Sequence, residues 1–234
     1  MTKEIYPIAF FHSPFPTKFG IPRQSGLVDA LKGTIDFEEP YGNSMSLKGL
    51  EDCEYLWIIW GFSENDGHGY HDTVRPPRLG GNERVGVFAS RSPFRPNGLG
   101  LSAVRILGIS EGSIAVAGAD LMDGTPIYDV KPYVAYSDAH AGARSGFTDW
   151  TAWHEAEVDF PEGLQQKFAG LSKTTDTEKA LIALRKTLAQ KPIPQYSHDS
   201  GRIYGMPFMG CDIRFRVEGN CVTIIDIDPE IKQK

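Results

Sequence analysis

Apolar residues come in short runs along the first two-thirds of the chain, and glycine, proline and asparagine separate one run from the next. Several runs are rich in β-branched and aromatic residues, a composition typical of strands. The pattern predicts strands at Ile5–His12, Thr34–Glu38, Leu56–Phe62, Arg84–Ala89, Leu101–Ile109 and Ser113–Gly118. Many short strands with frequent turn residues favour a barrel or a sandwich over a doubly wound sheet.

The last third of the chain has a different pattern. Apolar residues recur at helical spacing over Thr177–Gln190, where Asp176 can cap the start and Pro192 ends the run. A shorter helix is predicted at Pro161–Ala169. The final hairpin is expected to pair Cys211–Val217 with Cys221–Ile227. We therefore expect the residues after about position 160 to form a separate small α+β unit.

Charge and composition narrow the class of protein. The chain of 234 residues has a formal net charge of -6. It contains no run of about 18 or more apolar residues, so we expect no membrane contact. The N-terminus has no apolar signal-peptide core, so we expect a cytoplasmic protein. The hairpin register would put Cys211 opposite Ile227 rather than Cys221, so these two cysteines should not form a disulfide.

An arginine-rich segment stands out in this acidic chain. Residues 75–97 contain five of its twelve arginines: Arg75, Arg78, Arg84, Arg91 and Arg95. Guanidinium groups bind carboxylates and phosphates through two parallel hydrogen bonds and stack on flat bases. The segment therefore predicts an anionic or nucleotide-like ligand. The alternative is a solvated basic loop, because arginine-rich loops are common on soluble proteins.

Two further motifs carry candidate chemistry. Gly98 and Gly100, followed by Asp120, imitate a dinucleotide-binding fingerprint, but the residues after them read as a strand where that fingerprint needs a helix. The segment Asp120–Tyr133 places three aspartates and Lys131 around a strong turn signal. Asp123 could be a site carboxylate, or it could only close the turn. We expect no metal site, because His68 and His71 lie in a glycine-rich turn.

Four segments, taken in order, resemble the bacterial TrmO (YaeB-like) family: Pro22-Arg23-Gln24, Val74–Asn82, Val87–Asn97 and Asp120–Tyr133. The resemblance implies an S-adenosylmethionine-dependent tRNA methyltransferase that acts on N6 of threonylcarbamoyl-adenosine next to the anticodon. It also implies a β-barrel domain and a homodimer. Together with the residue pattern, we expect the barrel domain over residues 1–160 and a small α+β domain over residues 161–234. S-adenosyl-L-methionine and tRNA are therefore the expected cofactor and partner.

The resemblance also assigns candidate site residues. Those expected to line the cofactor site are Pro22, Arg23, Gln24, Ser63, Glu64, Arg91, Leu101, Leu121, Met122, Asp123, Gly124 and Thr125. Those expected to bind the substrate are Arg75, Arg78, Arg95, Lys131 and Tyr196. The chain departs from the family pattern at Gly98, where proline is usual, at the pair Ser63-Glu64, where glutamine is common, and in the segment Lys191–Tyr196.

The proposed chemistry needs a proton acceptor as well as a methyl donor. The adenine N6 lone pair is delocalised into the ring, and a carboxylate or a carbonyl that accepts the N6 proton would restore its nucleophilicity. The residues alone do not identify that group. A rival function is a non-catalytic nucleotide or RNA-binding β-barrel that kept the pocket and lost the reaction.

Overall fold

The computed structural model describes residues 2–65, 67–151, 154–193 and 201–230. The strands are β1 (Ala9–His12), β2 (Lys32–Phe37), β3 (Tyr55–Gly61), β4 (Thr73–Val74), β5 (Val85–Gly86), β6 (Leu99–Ser110), β7 (Ser113–Ala117), β8 (Thr125–Pro132), β9 (Glu157–Asp159), β10 (Tyr204–Phe208), β11 (Cys211–Glu218) and β12 (Cys221–Pro229). The α-helices are α1 (Ala135–Asp138), α2 (Glu162–Leu171) and α3 (Thr177–Ala189).

Six strands close into an antiparallel barrel in the order β1-β2-β7-β6-β3-β8, and β8 returns to pair with β1. Alternate residues point into the barrel, so that Leu56 and Ile58 of β3 and Val104 of β6 are almost completely buried. The predicted mainly β fold with a barrel is therefore confirmed. The residues after Gly98 form β6, a strand of the antiparallel barrel, so the prediction that Gly98 and Gly100 are not part of a dinucleotide-binding fingerprint is confirmed. Gly100 faces Trp60, and a Cβ there would collide with the indole.

Two strand predictions in this part of the chain were wrong. The predicted strand Arg84–Ala89 is only the two residues of β5, followed by a 3-10 turn at Val87–Ala89. The motif Asp120–Tyr133, in which no strand was predicted, contains all of β8. Pro126 and Pro132 lie inside that strand, and proline argues against a strand when only the sequence is known. Buried Thr125 and Ile127 show the alternation that decides it.

The C-terminal part is a sheet in the order β10-β11-β12-β9, on which α2 packs. The two predicted helices are confirmed within two residues of their ends, and Asp176 caps α3 by accepting a hydrogen bond from the Lys179 amide at 3.2 Å. The hairpin is also confirmed, but its predicted register was wrong. A bulge between Arg214 and Phe215 puts Cys211 opposite Pro229. The three cysteines are free.

Each of these two parts has its own hydrophobic core. One fills the barrel, and the other lies between the C-terminal sheet and α2 and α3. Phe15, Val28 and Leu31 precede the second strand, yet they are buried in the C-terminal core. Residues 13–31 therefore connect the two cores, and the division at residue 160 stays a prediction. Within the described ranges, no helix has both the length and the apolar character needed to cross a membrane.

Candidate active site

A cleft of about 520 Å³ opens beside β3 and β6. Four separate parts of the chain form it: the loop before β2, β3 with the turn that follows it, the loop leading into β6, and the connection from β7 to β8. The lining residues are Lys18, Ile21, Pro22, Arg23, Gln24, Trp57, Trp60, Gly61, Phe62, Ser63, Glu64, Asn65, Ser90, Arg91, Pro93, Arg95, Leu99, Gly100, Leu101, Asp120, Met122 and Thr125. A volume of this size suits a small-molecule cofactor.

Most of the residues predicted to bind a cofactor meet in this cleft. Nine of them line it, although they lie far apart in the sequence: Pro22, Arg23, Gln24, Ser63, Glu64, Arg91, Leu101, Met122 and Thr125. Arg91 donates a hydrogen bond to Gln24 Oε1 at 2.5 Å, which joins two of the motifs directly. Leu101 is 54% exposed because its side chain points out of the barrel into the cleft region. The cleft therefore brings together motifs that were recognised separately.

Arg23 sits at the junction of the two halves of the molecule. Its Nη2 donates to the carbonyl oxygen of Ile193 at 3.3 Å, in the C-terminal part of the chain. Burial, with the nearby positive charge of Arg78, lowers the pKa of the Arg23 guanidinium. Arginine stays protonated at neutral pH despite such a shift. Two guanidinium groups so close together make a favourable position for an anion.

Three residues expected at the cofactor site are not among the lining residues. Leu121 is buried in the barrel core. Gly124 has a φ of 76° and forms the turn that leads into β8, a conformation that favours glycine. The Asp123 carboxylate accepts a hydrogen bond from the Ser13 amide and lies 3.1 Å from His12 Nδ1. These contacts tie Asp123 to the end of β1, whereas the turn itself is closed by Thr125, whose amide and hydroxyl both donate to the Met122 carbonyl oxygen.

A different aspartate occupies the cleft. Asp120 Oδ1 accepts a hydrogen bond from Ser102 Oγ at 2.5 Å, and Ser102 Oγ in turn accepts one from Trp60 Nε1 at 3.0 Å. Burial raises the pKa of Asp120; its hydrogen bond from Ser102, the Ser25 amide and the charge of Arg91 oppose that rise. The carboxylate is thus held in a fixed position where its ionised form is poorly solvated.

The arginine-rich segment is partly structural. Arg95 Nη1 donates to the carbonyl oxygens of Ser90, at 2.7 Å, and Val87, at 3.3 Å. The same guanidinium lies 5.7 Å from the centre of the Phe88 ring, and the ring of Tyr70 stacks on that of Phe88. Phe88 is 71% exposed, whereas neighbouring Val87 is buried. Arg95 therefore fixes a turn that presents an aromatic ring beside the cleft.

The other predicted substrate residues have varied positions. Arg75 is exposed, and Arg78 lies close enough to affect Arg23 electrostatically. Lys131 pairs with Asp129 at 2.9 Å and lies opposite Trp57, a cleft residue, in the strand register. Tyr196 lies outside the described residues. Across the described ranges, no group of three or more histidine, cysteine, aspartate or glutamate residues could hold a metal ion.

Comparison with known proteins places this geometry in a family. The model of the tRNA-methyltransferase O N-terminal domain matches residues 10–139, and that of the TrmO C-terminal domain matches residues 154–230. The chain belongs to the tRNA-methyltransferase O family. A tRNA (adenine(37)-N6)-methyltransferase of Escherichia coli is 34% identical over 95% of this chain and 96% of its own.

Two further TrmO relatives extend the match. A Pseudomonas aeruginosa protein, named for S-adenosylmethionine-dependent methyl transfer, is 35% identical over 97% of this chain and 98% of its own. A crystal structure of TrmO from Pseudomonas aeruginosa superposes with a TM-score of 0.78 at 30% identity, covering 97% of this chain and 98% of the other. The similarity therefore extends over both the barrel and the C-terminal part.

The TrmO cleft also contains residues that sequence reasoning did not select. They are Lys18, Ile21, Trp57, Trp60, Gly61, Phe62, Asn65, Ser90, Pro93, Leu99, Gly100 and Asp120. A signal for Asp120 was present: it ends the apolar run of β7, and Ser102 is a polar residue at an inward position of β6. Only the three-dimensional structure shows that the side chains of Ser102 and Asp120 meet.

Proposed function

We propose that this TrmO-family chain is an S-adenosylmethionine-dependent methyltransferase that acts on N6 of threonylcarbamoyl-adenosine next to the anticodon of tRNA. The observation that carries the proposal is the convergence of Pro22–Gln24, Arg91, Leu101, Met122 and Thr125 on one cleft. The Escherichia coli relative is named as a tRNA (adenine(37)-N6)-methyltransferase, which supports the reaction, and the Pseudomonas aeruginosa relative as an S-adenosylmethionine-dependent methyltransferase, which supports the methyl donor.

The cleft residues suit S-adenosylmethionine. This cofactor supplies a methyl group already activated by a sulfonium. The cleft offers the aromatic side chains of Trp57 and Phe62 for a flat base, and Arg23 for a carboxylate. Gln24 and Arg91 would act together, because each orients the other. The main tasks of these residues are to orient the reactants and to exclude water.

The tRNA would approach over the arginine-rich segment. Arg75 and Arg78 would neutralise phosphates or the threonyl carboxylate, while Lys131 and Tyr196 would add contacts at the edges. Bases of single-stranded RNA loops stack readily on exposed aromatic rings. Phe88, supported by Tyr70 and held in place by Arg95, offers such a ring beside the cleft. The net charge of -6 implies a local contact surface rather than a long basic groove.

A homodimer and a cytoplasmic location complete the proposal. Exposed Tyr136 and Trp150, at 94% and 73% exposure, are large apolar side chains that a second copy could cover. The cytoplasm is where tRNA modification would take place. Sedimentation at increasing protein concentration tests the dimer, and a single monomeric species at all concentrations would contradict it.

The function is tested by supplying the protein with labelled S-adenosylmethionine and two tRNA preparations, one carrying threonylcarbamoyl-adenosine and one an unmodified transcript. We expect methyl transfer to the modified tRNA only. Equal transfer to both would show that the threonylcarbamoyl group is not recognised. Calorimetric binding of S-adenosylmethionine without any transfer would favour the rival function of a non-catalytic nucleotide or RNA-binding barrel.

A further inference from the structure

Asp120 combines three properties that no other carboxylate in the described cleft shares. It lines the cleft, it is partly buried there, and its position is fixed by a hydrogen bond from Ser102, a side chain that is itself 1% exposed. Glu64 is the other acidic lining residue, and it lies in an exposed turn. Asp120 forms no ion pair with any residue that the structure describes. Its carboxylate is therefore not held in a structural salt bridge within those residues.

We propose that Asp120 is the catalytic residue that accepts the N6 proton of the target adenosine during methyl transfer, an inference that rests on the proposed function. As the N6–H bond breaks, its electron pair becomes available for the new N6–methyl bond, and the proton moves to the Asp120 carboxylate. The methyl–sulfur bond breaks with its electron pair on sulfur. One negative and one positive charge disappear together, so the step balances in atoms and in charge.

The surroundings of Asp120 suit a proton acceptor. A catalytic base works best when its pKa lies close to the working pH, and burial moves the pKa of Asp120 in that direction. The hydrogen bond from Ser102 and the charge of Arg91 both favour the ionised carboxylate and oppose that rise in the pKa. The remaining ionisable residues of the cleft are Lys18, Arg23, Glu64 and Arg95.

The Trp60–Ser102–Asp120 chain explains how the carboxylate keeps its orientation. Trp60 Nε1 donates to Ser102 Oγ, which leaves the Ser102 hydroxyl proton directed at Asp120 Oδ1. Ser102 is thus a positioning residue, which acts on the substrate only through Asp120. Because its hydrogen bond stabilises the ionised carboxylate, its removal raises the pKa of Asp120 further.

The chain contains a matched control for this pair. On the outside of the barrel, Ser113 Oγ donates to Asp36 Oδ1 at 2.6 Å, so a serine–aspartate hydrogen bond of the same kind lies away from the cleft. The test compares D120N and S102A with D36N and S113A. Measurements are single-turnover methylation against pH, calorimetric binding of S-adenosylhomocysteine, and a 13C NMR titration of the aspartate carboxyl groups.

We expect D120N to lower the methylation rate by roughly 10²- to 10⁴-fold, the usual contribution of a general base, while binding S-adenosylhomocysteine within about threefold of wild type. S102A should move the acid limb of the pH–rate profile to higher pH, and the carboxyl resonance of Asp120 should move with it. D36N and S113A should leave the profile in place. The resonance is assigned by its disappearance in D120N.

Several results would overturn the proposal. If D120N loses S-adenosylhomocysteine binding as strongly as activity, Asp120 is a cofactor ligand. If S102A is folded and the acid limb does not move, another group controls the rate. If S102A does not fold, the wild-type titration decides, because the Asp120 resonance must titrate at the pH of the acid limb. Wild-type protein that transfers no methyl group counts against the proposed function itself, whereas an active D120N counts only against Asp120.

Discussion

Two aspartates on the same connection between β7 and β8 have opposite surroundings. Asp120 points into the cleft, where Ser102 and the Ser25 amide hold its carboxylate and no described cation pairs with it. Asp123, three residues later, is half-exposed and contacts His12 and the Ser13 amide. One carboxylate is kept poorly solvated beside a cavity, and the other ties the β7–β8 connection to the end of β1. The same residue type therefore has very different solvation at two positions three residues apart.

Residues of one family motif, 120–123, lie in different surroundings, so the motif alone does not identify which of them face the cleft. Asp123 belongs to a strong turn signal and was the more conspicuous candidate. Asp120 and Met122 line the cleft, whereas Asp123 faces the end of β1. Leu121 between them points into the barrel core. A contiguous motif thus serves three different environments.

The largest expected effect is on the methylation rate, which D120N should lower strongly and D123N should not. D120N removes the proposed proton acceptor, so the single-turnover rate should fall by roughly 10²- to 10⁴-fold. D123N keeps an oxygen that can accept from the Ser13 amide, so its rate should stay within about threefold of wild type. Titrating D123N with S-adenosylmethionine and S-adenosylhomocysteine provides the control. Weaker binding of both ligands, or of the cationic one alone, would make Asp123 a cofactor residue.

The next effect concerns the exposed ring beside the cleft. F88A should weaken binding of a modified anticodon stem-loop by on the order of 1 to 3 kcal/mol, the usual value of one base stacked on an aromatic side chain. F88W should retain binding. Met45, 77% exposed on another loop, is the matched control, and M45A should bind normally. Normal RNA binding by F88A with a change in oligomeric state would instead make Phe88 part of a contact between two copies.

A smaller effect is expected at Arg95. R95K keeps the charge but replaces the rigid guanidinium, whose Nη1 donates to both the Ser90 and the Val87 carbonyl oxygens, with a flexible ammonium group. The replacement should destabilise the loop by about 1 to 2 kcal/mol, within the range for hydrogen bonds to charged groups. Thermal unfolding measures this cost, and the Michaelis constant for tRNA should rise with it. An unchanged melting temperature together with reduced tRNA binding would show direct contact with the substrate instead.

The smallest effect is a pH dependence of stability. Burial raises the pKa of Asp120 above its unfolded value. The contribution of Asp120 to the free energy of unfolding is therefore largest below the unfolded pKa of about 3.9, and it is lost as the pH rises through the folded pKa. D120N cannot ionise. Its melting temperature relative to wild type should therefore increase from acidic to neutral pH, by about 2 to 4 °C for each kcal/mol. An increase toward acidic pH would mean that the ionised carboxylate stabilises the fold.

Much of the fold could be predicted because burial alternates along most barrel strands. β8 was missed because Pro126 and Pro132 argue against a strand when only the sequence is known, although its burial alternates and it pairs with β1 and β3. Nine cofactor candidates were found through motifs, since their order along the chain resembles a family. The partners of Asp120 and Arg95 could not be found this way. Ser102 is distant in sequence, and the contacts of Arg95 are backbone carbonyls, which every residue possesses.

The anchoring of residues 13–31 has a consequence for how the protein unfolds. Phe15, Val28 and Leu31 lie in the C-terminal core, while Gly26 bonds the end of β7 through its amide at 2.8 Å. Pro22, Arg23 and Gln24 lie on the same segment, between these attachments. Melting of the C-terminal core would therefore release one wall of the cleft. Cofactor binding should raise the stability of both parts together, and calorimetry should record one cooperative transition that moves as a unit.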